Sequence, residues 1–163
     1  MEYKDNIVHD AYYLIGLFNK DKKPVTQLQI QKIMYFFEAY YMIINKTDKL
    51  YDCNFNAWAF GPVAIPLYQS LKVYGDRDII LSKEQEEIGE SISDEKKEIL
   101  SYIYQVFGNL SAMQLVELTH RKDSPWYNKW EENEGKVVFG KESYIDKIQT
   151  RDWFKKVFIS DTK

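Results

Sequence analysis

The stretch from Leu28 to Ile44 constrains this chain most. It is the most apolar part of the sequence, and its polar interruptions are ordered: Gln31, Glu38 and Asn45 fall seven residues apart. Residues at that spacing lie on nearly one line of an α-helix. Almost every other direction around the axis is apolar, and a helix of that kind is packed on most sides. Thr26 with Gln29 three residues on has the pattern of a capping box and sets the helix start. The rest of the fold must therefore wrap a central helix that keeps one narrow polar stripe.

The flanking sequence supplies the wrapping. Ile7, Val8, Ala11, Leu14, Ile15 and Phe18 recur at helical spacing and predict an amphipathic first helix, ended by the polar turn Lys20 to Pro24. Asn54 to Phe60 reads as a short strand or extended arm. Gly61-Pro62 breaks it and is expected to open a third helix, with Gly75 as its stop. The acid-rich segment from Asp76 to Ser93 is expected to be a loop, with a short strand at Ile79 to Leu81. A helix then starts near Asp94 and ends at Gly108. Ser111 and Gln114 form a second capping box, opening a short helix to about His120. Ser124-Pro125 supplies a cap and a first-turn proline before Trp126 and Trp130. Glu131 to Gly140 reads as a polar loop with a strand at Val137 to Phe139. A last helix is expected after a Thr150 cap, facing Trp153, Phe154, Val157 and Phe158 inward. The expected class is mainly α, a single compact helical domain over 1–163 with a few short strands or extended arms.

Composition narrows the function classes. The 163 residues carry a formal net charge of −3, which opposes a strongly electrostatic nucleic-acid binder. The single cysteine, Cys53, permits no internal disulfide and fits a reducing compartment. One Cys and two His cannot build a structural zinc site. No apolar run approaches the ~20 residues that cross a bilayer. The opening Glu2, Lys4, Asp5 carries no signal core. A soluble, cytoplasmic chain without a cofactor or membrane partner is expected. Aromatic residues reach 16%, enough to fill a core or furnish a partner surface.

Catalytic readings are weak. His120 with Asp123 and Ser124, or with Glu117, holds the residue types of a base and nucleophile, but close neighbours on a tight turn rarely converge as a triad. Ser124 reads instead as a helix cap, and His120 as a cap or packing group. Cys53 has no basic neighbour to lower its pKa. The acids from Glu84 to Glu90 could hold a hard cation but lack calcium-loop spacing, and read as a solvated face. No glycine-rich phosphate loop is present.

Four blocks carry a resemblance that adds to this reading. They are Leu28 to Phe36; Ala57-Trp58-Ala59-Phe60-Gly61-Pro62-Val63 with Tyr68 and Tyr74-Gly75; Leu110-Ser111-Ala112 through Leu115, Leu118, Thr119 and His120 to Ser124-Pro125-Trp126; and, weakest, Ile148 to Phe158. In order and spacing the chain resembles the Panacea, or SocA-like antitoxin, domain family. Residues 76–94 show no family pattern and are either decoration or the place where partner specificity is set. The resemblance implies a largely helical fold and an antitoxin of a type II toxin–antitoxin system, in a bacterial or prophage genome. Its partner would be a cognate toxin protein encoded by the adjacent gene. The alternative is a proteolytic adaptor working with a host protease, or a prophage-encoded inhibitor of a host defence protein.

On that reading the partner-binding candidates are Lys32, Tyr35, Tyr41, His120, Asp123, Trp126 and Trp130. The surfaces they suggest are the Tyr-rich first two helices and the corner from His120 to Trp126. Lys32, in the most apolar helix, must snorkel or pair with an acid. It would be either an ion pair that fixes packing or a charged anchor at the edge of the binding face. The two tryptophans read as core or as partner contacts. Trp58, Gly61, Pro62, Ser111, Ser124 and Pro125 are expected to be architectural, with Gly61 allowing a close approach or a positive φ.

Overall fold

A computed structural model describes residues 5–159. Among them the fold is mainly α, with eight α-helices and one two-stranded antiparallel sheet. Helix α1 (Ile7–Lys20) starts at Asn6, whose side chain accepts from the Val8 and His9 amides. It buries the apolar face read from the sequence except Val8, which is half-buried, and Asp10 with it. Helix α2 (Gln27–Asn45) is the axis of the molecule, with every residue from Ile30 to Ala39 buried. At its start the Thr26 amide donates to Gln29 Oε1 at 2.9 Å.

The polar stripe of α2 acts as a row of ties. The Gln31 side-chain amide accepts from the Ala64 amide at 2.9 Å and donates to the Ala64 carbonyl at 3.1 Å. It satisfies one strand residue as a neighbouring strand would. The Glu38 carboxylate accepts from the Leu50 and Tyr51 amides, each at 3.0 Å, and from Lys147 at 2.7 Å. Asn45 bonds back to the Tyr41 carbonyl in the last turn. A buried amide or carboxylate is tolerable only with its capacity filled, so the loop after α2, the sheet and α8 are all fixed by these side chains.

The hairpin pairs β1 (Phe55–Trp58) with β2 (Gly61–Ala64), Ala57 opposite Pro62 and Trp58 opposite Gly61. Here the structure corrects the sequence expectation. Gly61-Pro62 opens a strand, and helix α3 (Ile65–Leu71) begins three residues later with Pro66 in its first turn. Pro62 is admissible because a two-stranded ribbon has only edge strands. Gly61 has φ +108°, and a Cβ there would lie 2.6 Å from Lys32 Cε and 2.9 Å from Thr119 Oγ1. Both expected reasons for glycine apply together.

Residues 76–93 are also not the expected loop. Helix α4 (Lys83–Glu90) begins at Ser82, which exchanges hydrogen bonds with Gln85. It lies against α1 so closely that a Cβ on Gly89 would stand 2.7 Å from the Tyr13 amide nitrogen. Ile79 to Leu81 forms no strand; it is held by Ile79 N–H to the Val25 carbonyl and by both ends of the Asn19 amide. Val137 to Phe139 forms none either. Helix α5 (Asp94–Phe107) and the short helices α6 (Ala112–Thr119) and α7 (Pro125–Glu132) stand where the sequence puts them, with Ser93, Ser111 and Ser124 as caps. Helix α8 (Lys147–Phe154) starts earlier than expected, because Asp146 caps it. Thr150 lies inside the helix, and its hydroxyl meets the buried Tyr35 hydroxyl at 2.9 Å. Trp153 and Phe154 are buried; Val157 and Phe158, in the π-helical turn that follows, are half-buried.

Candidate functional site

Where α2, the hairpin and α3 meet, the surface opens into a groove of about 740 Å³. Its rim is aromatic. Phe60, at the hairpin turn, is 63% exposed and Phe139, before Gly140, is 73% exposed. Tyr68 on α3 and Val137 complete the apolar rim. Trp58 supports it, with its ring edge-on to Tyr68 at 5.7 Å and to Phe139 at 6.1 Å. Large apolar side chains rarely gather at a surface without a use. Leu28, Gln31 and Lys32 of α2 line the inner side.

Lys32 is fully buried. Its ammonium donates to the Pro62 carbonyl at 3.2 Å and makes no ion pair among the described residues. Neither expected arrangement applies there: it does not snorkel to the surface, and no described acid pairs with it. Burial drives its pKa down from 10.5 to about 7. The hairpin creates this setting, since Gly61 packs on the Lys32 stem and Pro62 offers the one acceptor.

Behind the hairpin lies the corner from His120 to Trp126. His120 stacks on Trp126 at 3.7 Å with the rings 6° from parallel, and Trp130 continues the stack at 5.5 Å. Trp126 is buried and donates its indole N–H to the Trp58 carbonyl at 2.7 Å, tying this corner to the hairpin. Burial, then the positive charge of Lys32, holds the His120 pKa below the usual imidazole value. His120 Nε2 and Trp58 Nε1 are buried without a hydrogen-bond partner.

The triad geometry is absent. The Ser124 hydroxyl donates to the Thr119 carbonyl at 2.7 Å and accepts from the Tyr127 amide, while Asp123 is exposed beside Arg121. Burial raises the Cys53 pKa, the opposite of activation. Glu90, in the acidic segment, pairs with Lys20 and Lys97, and its pKa is held below the usual carboxylate value by those contacts, against its own burial. Among the described residues no group of three or more His, Cys, Asp or Glu could hold a metal, and no helix is long and apolar enough to cross a membrane.

The structure thus sorts the sequence candidates. Tyr35 and Trp126 are buried and offer no free surface, α2 being enclosed where the first lies and the hairpin and His120 covering the second; Lys32 is buried as well, but it borders the groove. Tyr41, His120 and Trp130 are half-buried and Asp123 is exposed. Lys32, Trp58 and Pro62 are gathered at the groove and His120 stands behind it; Tyr35 points instead to α8, and Tyr41 lies further along α2. The rim residues Phe60, Tyr68, Val137 and Phe139 were not among the sequence candidates. The available signal was that Phe60 and Phe139 are large apolar residues beside turn glycines, outside any amphipathic period.

A sequence model of the family described as antitoxin SocA-like, Panacea domain, matches residues 30–127, from within α2 to the start of α7. The chain is 27% identical over 111 residues to Antitoxin SocA of Caulobacter vibrioides (strain NA1000 / CB15N), a match covering 63% of this chain and 58% of that relative. No solved structure matches the chain. The matched span holds α2, the hairpin, the buried lysine and the stacked His120–Trp126 corner, and the chain belongs to the SocA-like Panacea domain family.

Proposed function

We propose that this chain is an antitoxin of the type II kind, neutralising a cognate toxin protein by direct binding through the groove between the hairpin, α2 and α3. The observation that carries this reading is the exposed aromatic rim, within or beside a fold whose family and curated relative are named for antitoxins. Rigid aromatic side chains supply contact area at low entropic cost, and a few such anchors carry most of the affinity of an interface. The rim is preorganised: Trp58 braces it from below, and the hairpin beneath it is fastened to α2 by Gln31 and to α7 by Trp126. A binding role is supported by the failure of His120, Asp123 and Ser124 to converge, the Ser124 hydroxyl being committed to a cap.

The test is co-expression with the product of the adjacent gene. Growth should be arrested by that product alone and restored by the wild-type chain. The double variant Phe60→Ser/Phe139→Ser, shown to be folded, should fail to restore it. A harmless neighbour, or full rescue by the double variant, would count against the reading. Loss of the partner only in the presence of an ATP-dependent protease would favour the adaptor role instead.

A further inference from the structure

We propose that Lys32 is the receiving cation for a carboxylate, and that the groove accepts an Asp or Glu side chain flanked by apolar residues on the protein partner. Three observations converge. The first is an uncompensated charge. A fully buried lysine normally carries a carboxylate partner, because a lone desolvated ammonium is costly. Among the described residues Lys32 has the Pro62 carbonyl and nothing more, which leaves donor capacity unused. Asp76, the carboxylate on the same lining, is exposed and forms no ion pair with it. His120, the titratable group that senses the lysine's charge, adds no negative charge of its own.

The second observation is the indole of Trp58, on the same lining, whose buried Nε1–H has no hydrogen-bond partner. A carboxylate has two oxygens and about four acceptor sites. A carboxylate therefore offers the acceptors that the ammonium and the indole both lack, where a neutral apolar side chain offers none. The third is the rim. Phe60, Tyr68, Val137 and Phe139 give apolar footing on either side of the charged anchor. An isolated acidic residue would not use them, whereas an acidic residue between apolar neighbours uses both parts. Because Lys32 is already sealed from water, the new pair would be stronger than one at an exposed surface. Because the free protein already holds the lysine desolvated, that cost is met on folding rather than on binding.

This inference rests on the reading that the chain binds a protein, and two experiments keep the two apart. In the first, the isolated, isotopically labelled chain is titrated by NMR at pH 6.5 with phenylacetate and with neutral 2-phenylethanol. Phenylacetate should bind at least fivefold more tightly and shift the Trp58 indole and Lys32 side-chain resonances. Lys32→Met and Lys32→Gln, folded by their spectra, should bind both probes alike. Equal binding of the two probes by the wild type, or no shift at those resonances, overturns the proposal. In the second, each Asp and Glu of the co-purified partner is changed to its amide. One change should weaken the complex at least tenfold, and Lys32→Met should add nothing to that loss. A complex indifferent to every such change refutes the anchor and leaves the binding role standing. Phenylacetate discrimination with no complex at all refutes the binding role and leaves the anion site standing.

Discussion

Lys32→Met is the perturbation that tests the electrostatics most directly, since methionine keeps the length of the stem and removes the charge. The ammonium's pKa falls from 10.5 to about 7 on burial. At about 1.4 kcal/mol for each tenfold change in proton affinity, keeping it protonated inside the fold costs on the order of 5 kcal/mol. The substitution also leaves the Pro62 carbonyl without its partner, a loss of about 1–3 kcal/mol. Near pH 6 the variant should therefore be more stable than wild type by about 2–4 kcal/mol. The advantage must shrink with pH. Between about 7 and 10.5 the unfolded chain binds the Lys32 proton and the folded chain does not. Wild-type stability rises across that window by up to about 1.4 kcal/mol per pH unit from this group, and the variant lacks that rise. Titrations common to both proteins cancel in the difference. Urea denaturation of both at half-unit steps from pH 6 to 10 measures it. A gap that stays constant with pH would refute the reasoning, as would a variant less stable than wild type at pH 6. If Lys32 is the anchor proposed above, the gain should come with a weakened complex.

Other expectations follow from single contacts. Glu38→Ala strands Lys147 and the amides of Leu50 and Tyr51 and should cost about 3–5 kcal/mol in urea unfolding. Gly61→Ala places a Cβ against Lys32 and Thr119 at φ +108°; the strained backbone alone should cost about 1–3 kcal/mol, read as a lowered denaturation midpoint. Ser124→Ala removes the cap of α7 and its bond to Thr119, a loss of about 1–2 kcal/mol, with neutralisation of the toxin retained once the protein is folded. Phe139→Ser, at an exposed rim position, should change stability by less than about 0.5 kcal/mol while weakening the complex at least tenfold.

Local chemistry made much of the fold legible before any coordinates. The enclosed helix α2 followed from an apolar run with a seven-residue polar beat, and α1, α5, α6 and α7 followed from caps, periodicity and stop glycines. The misreadings share one cause. Gly61-Pro62 carries the local signature of a helix start, and only pairing with Ala57 and Trp58 makes it a strand. Helix α4 has few apolar residues to mark it, and its identity comes from Gly89 packing on α1. Thr150 resembles a cap, yet its hydroxyl is taken by Tyr35 from the far side of the core.

The same division holds for the site. The sequence alone determined a chain built around one enclosed helix, with capped helices on either side. It marked Lys32 as unusual but not why, because a lysine in an apolar helix has the same sequence whether an acid meets it or not, and it read Trp58 as architectural. Tertiary structure decided that no carboxylate of the described residues reaches Lys32, that the hairpin roofs it, and that Phe60, Tyr68 and Phe139, distant in the chain, share one rim. Periodicity reports which face of an element is buried; the surroundings of a charge or a groove depend on contacts between residues far apart in sequence, which packing alone brings together.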